Sequence, residues 1–205
     1  MSECTVRSYI GLGANVGDAQ GTLTRAVAEL AALHGVRLRG VSRLYATDPV
    51  GVTDQPEFRN AVVALEVPAG ADPAIGALAL LATLKTLERA SGRQRRERWG
   101  PRELDLDMLI FGRAEISIER PPEARSNDAD SDPAKATRLL VVPHPEAQQR
   151  LFVLAPLSDV ARWLVPPGWH ETVTTARVRR EQVEGRDAVR PIGDWDAVVG
   201  RWRRA

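Results

Sequence analysis

The sequence predicts an α+β fold in which helices flank an antiparallel sheet. Runs rich in β-formers alternate with runs of helical period in the order βαββαβ, and clusters of glycine, proline and aspartate separate them. The 205 residues suit one domain of ordinary size with appendages. The order of elements is that of a ferredoxin-like sandwich, here followed by a C-terminal extension.

Each element has its own signal. Residues 5–12, TVRSYIGL, read as a strand, and the following glycines, Asn15 and Asp18 read as a turn. Leu23, Val27, Leu30 and Leu33 recur at helical spacing over 19–34, where Gly35 can end the helix. Residues 36–46 alternate as a second strand, and the two prolines of 47–56 mark a loop. A third strand is expected over 58–67. Asp72 can cap a helix over 73–90 with Ile75, Leu78, Leu81, Leu84 and Leu87 facing the core. LDLDMLIF at 104–111 reads as a fourth strand. Residues 119–138 are polar and proline-bearing, and read as an exposed, disordered insertion. A short strand is expected at 139–142, a helix near 146–151 and a turn near 156–163. Trp195, Val198, Val199 and Trp202 stand at helical spacing near the end.

Composition excludes several function classes. The net charge of +1 gives no argument for a nucleic-acid or anionic-membrane partner. Cys4 is the only cysteine, so neither an internal disulfide nor a cysteine-based zinc site is available. The first residues lack a basic segment followed by an apolar run, and no stretch approaches a membrane span. A cytoplasmic protein is the expectation.

The chemistry concentrates in residues 88–107, ERASGRQRRERWGPRELDLD. Asp105 and Asp107 stand two apart on a strand, so both project from one face. Such a pair is either an ordinary solvent-facing one or a magnesium site. The apolar strand around them favours the metal, because charges on a covered strand need a partner. Arg93, Arg95, Arg96, Arg98 and Arg102 precede the pair, with Trp99 among them. Arginines leading into carboxylates suit a polyphosphate–metal complex. A solvated basic loop and a nucleic-acid patch are the alternatives, and the latter leaves the aspartates unexplained. No Walker loop is present. Phe58 and Asn60 share a strand face and could stack on and hydrogen-bond a heterocycle. His144 lies between two prolines, with Arg150 and Phe152 following. The GLGANVGD turn lacks the spacing of a dinucleotide fingerprint.

Four blocks together resemble the 6-hydroxymethyl-7,8-dihydropterin pyrophosphokinase family: YIGLGANVGD, LYATDPVGVTDQPEFRNAVVALE, ERASGRQRRERWGPRELDLDMLIFG and VVPHPEAQQRLFVLAPL. They span residues 9–164. The resemblance implies a ferredoxin-like domain over 1–164 that moves a pyrophosphoryl group from ATP, the co-substrate, to the pterin alcohol, releasing AMP. It implies two Mg2+ ions on Asp105 and Asp107. Arg93, Arg95, Arg102 and His144 would be catalytic, and Glu88, Trp99, Met108 and Arg150 would bind ATP. Thr47, Asp48, Val50, Phe58, Asn60 and Phe152 would form the pterin pocket, with the two phenylalanines stacking on the ring. Pro145 and Phe58 depart from the family, which can carry tyrosine at both positions. Residues 119–138 and 165–205 lie outside the resemblance, and the latter are expected to pack on the same domain. Small-molecule substrates, no nucleic acid, no membrane and a monomeric state complete the expectation.

Overall fold

The computed structural model describes residues 4–49, 54–92, 102–124 and 137–204. Its strands are β1 (Thr5–Ala14), β2 (Arg37–Val41), β3 (Leu44–Thr47), β4 (Phe58–Pro68), β5 (Asp105–Phe111), β6 (Ile116–Glu119), β7 (Arg138–Val142), β8 (Val189–Asp196) and β9 (Arg201–Arg204). Its α-helices are α1 (Ala19–Ala32), α2 (Pro73–Ala90), α3 (Leu151–Ala161) and α4 (Val173–Glu184).

The main sheet runs β5-β1-β4-β3-β8-β9, with β2 also paired to β4, and its pairings are antiparallel. Helices cover both faces. On one, Leu23, Val27 and Leu30 of α1 and Ala77, Leu80 and Leu84 of α2 pack against Ile10, Leu12, Val63, Leu106 and Met108. On the other, Leu154, Leu157 and Ala161 of α3 and Val173 and Ala176 of α4 pack against Tyr9, Val62, Ala64 and Leu109. The class is the α+β fold that the order of elements predicts.

Local chemistry sets the helix ends. Asp18 accepts from the Gly21 amide and Asp72 from the Ala74 amide, so each carboxylate caps otherwise unpaired donors. Ile75 is 58% exposed, contrary to its expected core position; the buried stripe of α2 is Ala77, Leu80, Leu84 and Glu88. The stripe begins at Gly76, which packs against Ala69 and Phe111, and so runs one position off the face that carries Ile75.

The expected second strand is two. Ser42 interrupts it: its amide donates to Val62 O at 2.9 Å, and its hydroxyl accepts from Val62 N at 2.9 Å. A side-chain oxygen thus replaces a backbone acceptor and breaks the ladder. The expected helix at 146–151 is a single 3-10 turn over Ala147–Gln149, and the true helix is α3. Pro156 sits inside α3, where sequence reading takes proline as a breaker.

Residues 119 and 138 belong to strands rather than to a loose insertion, because Glu119 pairs with Arg138 in the β6–β7 hairpin. Within the same expected insertion the Arg120 amide donates to Thr137 O at 2.7 Å and Pro122–Ala124 form a 3-10 turn, so disorder does not hold there either; 125–136 lie outside the described residues. The expected terminal helix is a β-hairpin, in which Trp195 pairs with Trp202 across β8 and β9. Val198 and Val199 form its turn, where Asp196 accepts from both their amides. β8 continues the main sheet by pairing with β3, and Trp202 Nε1 donates to Ser42 O at 2.8 Å.

Candidate active site

Three adjacent strands, β5, β1 and β4, change character along the face that α3 covers. Tyr9, Ala64 and Leu109 lie under the helix. Further along come Gly11, Val62 and Asp107, then Gly13, Asn60 and Asp105, paired in register as Gly13–Asn60 and Gly13–Asp105. In this last row the apolar residues of the face give way to a glycine, an amide and a carboxylate. Period-two alternation puts Leu104, Leu106 and Met108 in the core and turns Asp105 and Asp107 outward.

Gly13 joins the two halves of the site. A Cβ there would stand 3.4 Å from Asn60 Oδ1 and 4.0 Å from the Asp105 Cβ. Asp105 and Asn60 lie one strand to either side, about 10 Å apart across the sheet. The carboxylate pair and the amide therefore share one face of the sheet, with no side chain standing between Asp105 and Asn60.

Asn60 is 7% exposed, and its Nδ2 donates to Thr47 Oγ1 at 2.8 Å. That bond orients the amide and turns its oxygen toward Gly13. Phe58 pairs with Thr47, which pairs on its other side with Val189. Phe152, one residue into α3, packs beside Tyr45, Leu151 and Val189. The elements thus bring Thr47, Phe58, Asn60 and Phe152 to one end of the sheet.

Asn15 binds the surrounding loops together. Its Nδ2 donates to Gln55 Oε1 and to Pro56 O, both at 3.0 Å. Its Oδ1 accepts from the Arg102 amide at 2.7 Å, and its own amide donates to Arg102 O at 3.0 Å. One buried side chain fixes the entry to β4 and the approach to β5. The GLGANVGD turn has no dinucleotide spacing, and its role here is to carry Asn15 and two glycines. Its usable signal was the glycine pair at i and i+2, which leaves two bare positions on one strand face.

Arg102 forms an ion pair with Asp105, whose side chain is 14% exposed. His144 donates its amide to Leu109 O, and its Nδ1 accepts from the Glu146 amide at 3.3 Å. That acceptor role leaves the neutral ring its proton on Nε2. Arg150 pairs with Glu146, and its guanidinium lies 5.6 Å from the Phe152 ring centre. Beside His144 and Pro145, a cavity of about 380 Å³ is walled by β6, β7 and Trp169.

Two residues expected to bind ATP, Met108 and Glu88, are buried. Met108 is 4% exposed, with its side chain in the core on the helix face opposite the aspartates. Glu88 is 2% exposed; its Oε1 accepts from the Leu106 amide at 2.8 Å and from Lys85 Nζ at 2.9 Å. Asp48 is exposed and bound to Arg190 of β8. Val50, Arg93, Arg95 and Trp99 lie outside the described residues, as do Arg96 and Arg98.

The family model described as 7,8-dihydro-6-hydroxymethylpterin-pyrophosphokinase matches residues 9–162. Among curated proteins, the chain is 39% identical over 155 residues to the 2-amino-4-hydroxy-6-hydroxymethyldihydropteridine pyrophosphokinase of Bacillus subtilis, covering 76% of this chain and 78% of that one. It is 39% identical over 170 residues to the protein of the same name from Methylorubrum extorquens, covering 83% and 90%. The wild-type HPPK-DHPS crystal structure from Plasmodium falciparum superposes with a TM-score of 0.67 at 13% identity, covering 99% of this chain. This chain spans 50% of that one, and the likeness concerns the fold.

Proposed function

The chain belongs to the 7,8-dihydro-6-hydroxymethylpterin-pyrophosphokinase family, and on that premise we propose how its own residues carry the reaction. The activity is transfer of a pyrophosphoryl group from ATP to the hydroxymethyl group of 6-hydroxymethyl-7,8-dihydropterin in folate synthesis, with release of AMP. The observation that carries the site assignment is the shared row of Asp105, Gly13 and Asn60.

Asp105 and Asp107 hold two Mg2+ ions in this reading. Their hard oxygen donors, on adjacent outward positions at the open end of the sheet, fit a cation that takes one or two carboxylates and completes its shell with phosphate oxygens and water. Magnesium bound there supplies charge neutralisation at the phosphates and acidifies the pterin alcohol. The remaining work is positioning. Asn60 reads the edge of the pterin through its oriented amide oxygen, and Thr47 locks that amide. Phe58 and Phe152 offer apolar surface to the ring, and Asp48 and Val50 border it. Arg102 and His144 contribute charge and an Nε2 donor to phosphate oxygens, and Arg150 borders the nucleotide. Arg93, Arg95 and Trp99 carry the remaining phosphate and nucleotide contacts on the strength of the resemblance. Glu88 and Met108 act through the backbone and packing of β5.

Residues 1–164 form the catalytic unit in this reading, and 165–205 extend its sheet. The enzyme works as a cytoplasmic monomer on small soluble substrates. Among the described residues, no helix is long and apolar enough to cross a membrane. The test is AMP release from ATP with magnesium, with and without the pterin. AMP that forms only when pterin and metal are both present supports the reading; a folded protein that binds no pterin and forms no AMP contradicts it.

A further inference from the structure

We propose that Arg190, supplied by the C-terminal extension, is a positioning residue for the pterin pocket, holding together the two ends of the segment that joins β3 to β4. The inference rests on the reading of Thr47, Phe58 and Asn60 as pterin-facing. β3 ends at Thr47 and β4 begins at Phe58, and these two residues pair. Asp48 and Glu57 flank them. On the outer side of β3, β8 places Val189 beside Thr47 and Arg190 beside Ala46. From there Arg190 Nη2 donates to Asp48 Oδ1 at 3.0 Å and to Glu57 Oε1 at 2.5 Å. Arg190 Nη1 donates to Asp187 O at 3.2 Å, which aims the group.

One planar guanidinium thus engages an acid on each end of the segment. Its fixed geometry constrains both, as a lysine's single ammonium would not. Glu57 is held on its other side by Arg59 at 2.9 Å. Arg190 also keeps the Asp48 carboxyl below its usual titration range. The acids are solvent-accessible, so the pairs add little to global stability. Their effect falls on the order of the adjacent Thr47 and Phe58, and hence on pterin binding. Arg190 and the two acids come from parts of the chain more than a hundred positions apart, and the extension has no part in the resemblance that defines the pocket.

The test compares Arg190→Ala, Arg190→Lys and Arg203→Ala by steady-state kinetics and thermal melting. Arg203→Ala breaks the hairpin's own ion pair with Asp196, 2.8 Å long, without touching the segment. Arg190→Ala is expected to raise the KM for pterin roughly three- to tenfold, with kcat and the KM for ATP changed by less than about twofold. Arg190→Lys should fall between wild type and alanine, and Arg203→Ala should match wild type. An unchanged pterin KM in Arg190→Ala overturns the proposal, as does an equal rise in Arg203→Ala, which would mark general loosening of the hairpin. Wild-type protein that neither binds nor turns over pterin overturns the pocket reading itself.

Discussion

Glu88 Oε1 accepts a hydrogen bond from the Leu106 amide at 2.8 Å, so a buried carboxylate on α2 grips the residue that separates Asp105 from Asp107. Lys85, one helical turn earlier, donates to the same oxygen. The strand that presents the carboxylate pair is therefore pinned from the core side. Glu88→Ala leaves the Leu106 amide without that acceptor, costing about 2 kcal/mol, or roughly 4–8 °C in Tm. Turnover should fall with it. Glu88→Gln keeps a carbonyl acceptor and should lose less than half as much. Equal melting of Glu88→Ala and wild type would remove the pinning role.

Asp107 is half-buried and points away from the core positions Leu106 and Met108, so its replacement should spare the fold. Asp107→Asn is expected to melt within about 2 °C of wild type and to lose turnover by roughly 10²–10³-fold or more. It should also lose the magnesium-dependent part of ATP-analogue binding, measured calorimetrically with and without metal. Retained metal dependence would show that the ions sit elsewhere.

Gly13 is needed for its emptiness. Its φ lies outside the left-handed region, so a side chain is tolerated by the backbone, but a Cβ would already meet Asn60 Oδ1 at 3.4 Å. Gly13→Ala should be mild. Gly13→Val fills the floor between Asn60 and Asp105 and should weaken pterin binding at least about tenfold while the protein stays folded. Normal pterin binding by Gly13→Val would place the pterin away from this row.

Both tyrosines of the chain, Tyr9 and Tyr45, have pKa values raised above their ordinary value of 10.0. Burial is the main cause in each; at Tyr45 the Asp159 carboxylate, which accepts its hydroxyl at 2.9 Å, adds to it. A raised native value means that the native state holds these protons longer than the unfolded chain. Their contribution to stability is complete below 10.0 and is lost as pH rises through the native values. Phenolate absorbance should therefore develop above the ordinary range in native protein and within it in denaturant. Tyr45→Phe should flatten the alkaline loss of stability. An ordinary native titration would contradict the Tyr45–Asp159 contact.

The parts of the fold that sequence discloses are those where one period dominates. The alternation of Leu104, Asp105, Leu106, Asp107 and Met108 fits a strand alone, and the helix at 73–90 carries both its leucines and its Asp72 cap. The tail defeats the same method, since Trp195, Val198, Val199 and Trp202 satisfy helical spacing while their true partners are each other across a turn at Gly200, whose φ is +69°. α4 shows little pattern because only Val173 and Ala176 are buried. Within the site, Asp105, Asp107, Phe58 and Asn60 could be read because each stands on a strand whose faces are known from alternation. The roles of Asn15, Gly13 and Arg190 depend on which strands become neighbours, and that information is tertiary.

In the proposed reaction the β- and γ-phosphoryl groups of ATP move together to the pterin. This joint transfer is tested by a single reaction with ATP radiolabelled at the β-phosphorus, followed by separation of nucleotide and pterin products. The label is expected to leave with the pterin, and the residual nucleotide to be unlabelled AMP. Label retained in ADP, with an unlabelled pterin monophosphate, would show single phosphoryl transfer and contradict it.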